Sequence, residues 1–88
     1  VNSTLNTIRR ANSGLAATLE KNNGIITSEE QIDQLEKIDR FMLVMVRCNA
    51  GRFVCPIQDL RHFRNIIQEH GGEWIRDMSV LHNVITQN

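Results

Sequence analysis

The sequence predicts an all-α fold: a compact bundle of four helices, over about residues 3–22, 28–48, 57–70 and 73–86, with short loops. Three observations predict it. Apolar residues recur at helical spacing through most of the chain. Thr27-Ser28-Glu29-Glu30 reads as a helix-opening capping box. Asn23-Gly24, Asn49-Ala50-Gly51 and Gly71-Gly72 stand where successive helices would end.

The first helix rests on Val1, Leu5, Ile8, Asn12, Leu15 and Leu19, spaced alternately four and three apart. This is a heptad seam with one polar interruption, Asn12. It serves either as one arm of the bundle or as a dimer seam in which Asn12 fixes the register. Asn23 and Gly24 both tolerate the left-handed backbone of a helix C-terminus.

The second helix opens at the Thr27–Glu30 box, whose acids also suit the helix dipole. Ile32, Leu35, Ile38, Met42 and Met45 continue it on one face, and no turn residue separates Asp39 from Phe41. It is therefore predicted to run to Cys48, its second half buried on most sides because Phe41 to Val46 is unbroken apolar sequence. The alternative is an α+β fold with a β-hairpin at 40–56 turning at Asn49-Ala50-Gly51.

Pro56 suits a first helical turn and holds Cys55 extended. Ile57, Leu60, Phe63, Ile66 and Ile67 share a helical face that His70-Gly71-Gly72 closes. Trp74, Met78, Leu81 and Ile85 then define the last helix. Leu60 to Thr86 also loosely resembles the first half of a BRCT domain. There a helix ends in paired glycines, and a strand ending near a Thr-His pair follows. This chain has Leu81-His82-Asn83 at that place, without the Thr. The resemblance implies a strand where the spacing predicts a helix, and the helical reading is kept.

The 88 residues make a single helical domain, 1–88. Hydrophobic content is 41% and formal net charge is zero, which argues against wholesale electrostatic capture of nucleic acid or a membrane. The charge is unevenly spread. Glu20 to Asp39 holds six acids and two lysines, while Arg40 to Gln68 holds five arginines and one acid. No apolar run approaches the roughly 18–20 residues that span a bilayer, and no signal-peptide pattern is present. An intracellular, cytoplasmic location is expected.

Cys48, Cys55, His62 and His70 are too widely spaced for a zinc knuckle. The cysteines read as small buried reduced thiols, with a disulfide across the loop as the alternative. No nucleophile and base are set together, and Gly71-Gly72 is followed by Glu73, which would repel a phosphate. The chain is read as non-catalytic, without metal or cofactor.

These observations point to a small protein–protein interaction or regulatory module whose partner is itself, as a homodimer, or another protein. The candidate partner-binding residues are Asn12, Arg40, Arg47, Arg52, Arg61 and Arg64. The alternative is a DNA-binding regulator using a helix-turn-helix-like hairpin at 57–86. There Arg76, Asn83 and Gln87 would read bases, and Arg61 and Arg64 would hold phosphates.

Overall fold

The computed structural model describes residues 3–80 and is a mixed α+β domain, not an all-α bundle. The predicted first helix is two: α1 (Ser3–Ala11) and α2 (Ser13–Lys21). Asn12 is extended, and its side-chain oxygen accepts the Leu15 N–H at 3.1 Å, so it caps α2. The seam periodicity survives the break. Leu5, Ile8, Leu15 and Leu19 are all buried within the chain, so these residues leave no free coiled-coil face. Asn12→Ala is expected to cost about 1 kcal/mol, the usual worth of such a cap, read as a lower urea midpoint that Asn12→Asp largely restores.

α3 (Glu29–Ile38) begins one residue later than the Thr27 box predicts. Ser28 accepts the Gln31 N–H at 3.2 Å, and Gln31 Oε1 accepts the Thr27 N–H at 2.8 Å. α3 ends at Asp39 rather than continuing to Cys48. Asp39 turns extended, and its Oδ1 accepts the Phe41 N–H at 2.9 Å while its carbonyl accepts the Met42 N–H. That side-chain turn is the missing breaker.

Beyond it the alternative hairpin holds. β1 (Leu43–Cys48) and β2 (Gly51–Pro56) pair antiparallel, Leu43 opposite Pro56 through Cys48 opposite Gly51. Val44 and Val46 are buried, while Leu43 and Arg47 are exposed. The strand does alternate, but Leu43 and Met45 on the outer face are themselves apolar, which hid the period of two.

A 3-10 segment (Ile57–Phe63) leads into α4 (Arg64–Glu69). The last predicted helix is replaced over its described part. Residues 73–77 turn, with Asp77 Oδ2 accepting the Glu73 N–H at 2.6 Å, and β3 (Met78–Val80) follows. The rest of that predicted helix, with Leu81, His82, Ile85 and their neighbours, lies outside the described residues.

The sheet order is β2-β1-β3, all antiparallel. One face carries Val44, Val46, Cys55, Met78 and Val80, all buried, and joins the helical residues in one core. The other face carries Leu43, Met45, Arg47, Arg52, Val54 and Ser79, none of them buried. Among the described residues this is a two-layer arrangement with one sheet face left open.

Candidate functional site

The two sheet edges differ. The outer edge of β3 is covered by Gly24–Ile26: Ile26 N–H donates to the Met78 carbonyl at 3.0 Å, and Val80 N–H to the Gly24 carbonyl at 2.9 Å. The edge of β2 is free among the described residues. Which groups it presents follows from the register. Arg47 N–H donates to the Asp77 carbonyl, on the β3 side. Backbone groups alternate sides along a strand, so those of Val44 and Val46 face β2 and bond Cys55 and Phe53. The N–H and C=O groups of Arg52 and Val54 therefore point outward. Pro56, which has no N–H to offer, ends the strand, as suits an edge.

Beside this edge lies an apolar cleft of about 300 Å³ between β2 and the 3-10 segment and α4. Phe53, Phe63 and Ile66 form its rim, at 39%, 37% and 41% exposure, Val46, Cys55 and Ile67 form its floor, and Arg52 and Val54 also border it. Its volume is at the small end of ligand sites, about 300–1,000 Å³. Phe53 also contacts His70, their rings 6.4 Å apart. The Asn49 N–H bonds the His70 carbonyl at 2.8 Å, tying the hairpin tip to the end of α4.

The sequence-predicted residues are divided by the fold. Arg47 and Arg52 stand opposite one another on the open sheet face, next to the free edge. Arg40 lies over the Phe41 ring at 4.9 Å. Arg61 is occupied by Asp33 and Glu36 of α3, Arg64 lies over the Trp74 ring at 5.6 Å, and Arg76 pairs with Glu73. Asn12 is a cap. Asn83 and Gln87 lie outside the described residues. Sequence reasoning did not single out Phe53 and Val54, and it grouped Phe63 and Ile66 with the helical face of Ile57, Leu60 and Ile67, whereas the fold buries those three and leaves Phe63 and Ile66 exposed. The available signal was Pro56 closing a short apolar run that starts just after a turn, which marks an edge strand.

Both cysteines are free thiols, Cys55 buried and Cys48 half-buried. Cys48 is opposite Gly51, four residues along β2 from Cys55. At about 3.3 Å per residue that is about 13 Å, beyond the reach of a disulfide. Burial, and then the carboxylate of Asp59, push the Cys55 thiol above its ordinary value. A thiol whose folded value is raised favours the fold below the unfolded titration range, and that contribution is lost as pH rises through the folded value. Stability is thus expected to fall as pH rises above about 8.5, the ordinary thiol value, and Cys55→Ala to flatten that part of a urea-midpoint profile.

Among the described residues no group of three or more His, Cys, Asp or Glu could hold a metal ion. Among the same residues no helix is long and apolar enough to cross a membrane. No family model matches the chain, and comparison with curated proteins and with solved structures finds no match.

Proposed function

We propose that the chain is a non-catalytic protein–protein interaction module that takes an extended segment of a partner onto the edge of β2. The observation that carries this reading is the outward-pointing N–H and C=O groups of Arg52 and Val54, next to an apolar cleft. An added strand would gain main-chain hydrogen bonds along the edge, and its alternate side chains would enter the cleft. Neither component is sufficient alone. Edge bonds do not discriminate between sequences, and a cleft of this size takes only one or two side chains.

A second copy of the chain could use the same edge. Antiparallel pairing about Phe53 sets Arg52 against Val54 of the other copy and satisfies both residues' backbone groups. It also gathers two Arg47 and two Arg52 side chains on one face, a repulsion that favours a different partner. For a duplex, the recognition helix expected after Gly72 is a turn and a strand over residues 73–80. A DNA-binding reading would have to rest on another element.

The test is an amide-resolved NMR titration with short extended peptides containing alternate Val and Leu. Shifts centred on Arg52–Cys55, Phe63 and Ile66, and abolished by Ile66→Asp at the exposed rim, are expected. Shifts centred on any other surface, or none, would remove the reading.

A further inference from the structure

Arg47 and Arg52 are directly opposite in the β1–β2 ladder, and both are exposed. Theirs is a non-hydrogen-bonded pair, the closer of the two kinds, with Cβ atoms about 4.5–5.5 Å apart. Like charges so placed destabilise a hairpin. Among the described residues neither arginine has an ion-pair partner. The α3 acids Asp33 and Glu36 are turned to Arg61, Glu20 to Arg9 and Glu73 to Arg76. The open-face neighbours along the two strands are Met45 and Val54, both apolar. The free edge is thus flanked on one side by an apolar cleft and on the other by two adjacent cations, Arg47 with Asp77 as its neighbour on the β3 side, that make no ion pair among the described residues.

We infer that the segment docking on β2 is acidic, with a carboxylate opposite Arg52 and apolar side chains opposite Phe53 and Cys55. This rests on the strand-addition reading above and specifies its partner. The positions follow from the pleat. In a strand added to β2, the residues opposite Arg52 and Val54 share the open face, and those opposite Phe53 and Cys55 face the cleft. A carboxylate opposite Arg52 extends the Arg47–Arg52 row and turns its repulsion into attraction. The partner's signature is therefore one acid, then apolar residues at the first and third positions beyond it, read in either chain direction. The pattern is short because Pro56 ends the available ladder.

Three blocked peptides test the inference, alike except for Glu, Gln or Lys opposite Arg52, each titrated into the full chain by fluorescence and by amide-resolved NMR. The Glu peptide should bind about two- to fivefold more tightly than the Gln peptide at low salt, with the advantage shrinking in about 0.5 M salt. Arg52→Glu should reverse the order, making the Lys peptide the best ligand. Arg47→Glu should raise the melting temperature of the free protein and yet weaken the Glu peptide, a combination that a purely structural role would not give. Equal affinity for the three peptides, with shifts still at Arg52–Cys55, would overturn the acidic partner and leave strand addition standing. No binding and no shifts for any peptide would overturn both. Self-association that slows Arg52 and Val54 amide exchange without peptide would make a second copy the occupant and overturn the inference.

Discussion

Trp74→Ala is expected to lower the unfolding free energy by about 3–5 kcal/mol, the range for deleting a buried large aromatic side chain. A domain of this class holds about 5–15 kcal/mol in all, so the variant would be close to unfolding at room temperature. The ring is 8% exposed. Its indole N–H donates to Glu29 Oε1 at 3.1 Å, in the first turn of α3. The Arg64 guanidinium, at the start of α4, lies 5.6 Å from the ring centroid. One side chain therefore ties the turn that feeds β3 to two helices. Trp74→Phe keeps most of the apolar contact and forfeits the hydrogen bond, so a loss of about 1–2 kcal/mol is expected. Urea unfolding followed by circular dichroism gives both values. Near-equal effects for the two variants would mean that packing of the ring contributes little.

Gly72→Ala is expected to cost about 1–3 kcal/mol through overpacking. A Cβ at Gly72 would sit 2.7 Å from Ile67 Cγ2, 3.0 Å from Cys48 Cβ and 3.1 Å from the Ile67 carbonyl oxygen. Ile67 is 1% exposed and cannot swing away. The Gly72 N–H also bonds that same carbonyl at 2.9 Å, so the backbone cannot back off without losing the bond. The contact is what seats the end of α4 against β1 at the tip of the hairpin. Ile67→Leu removes the offending γ2 methyl, so the double variant should recover part of the loss. Urea midpoints of the four proteins in that cycle measure the coupling. Simple additivity of the two losses would show that the Ile67 methyl is not the obstacle.

How much of this was legible in the sequence can be argued residue by residue. The buried sets were legible, because Leu5, Ile8, Leu15 and Leu19, and likewise Ile32 and Leu35, keep their spacing inside the core. The breaks between them were not. Asn12 and Asp39 each stop a helix by side-chain hydrogen bonds to the backbone, an effect that apolar periodicity does not register. Trp74 and Met78 are buried as the helical spacing required, yet a turn and a strand place them there. The hairpin was visible only as an alternative, since a strand with apolar residues on both faces resembles the buried half of a helix.

For the site, sequence reasoning reached Arg47 and Arg52 through the charge imbalance but could not pair them across a ladder. It grouped Arg61 and Arg64 with them, and the fold turns those two toward α3 and Trp74. The free edge is a property of topology. Nothing local in Gly51–Pro56 says that β3 and the Gly24–Ile26 segment join the far side of β1 and leave the β2 edge free among the described residues.

Amide hydrogen exchange of β2, residue by residue, tests the account most directly. In the free protein the Phe53 and Cys55 amides, bonded to β1, should exchange slowly, while those of Arg52 and Val54 should exchange at rates close to an exposed chain. Saturating acidic peptide should slow Arg52 and Val54 and leave Phe53 and Cys55 little changed. Protection of Arg52 and Val54 in the free protein, or their indifference to a bound peptide, would contradict the open edge on which the proposed function stands.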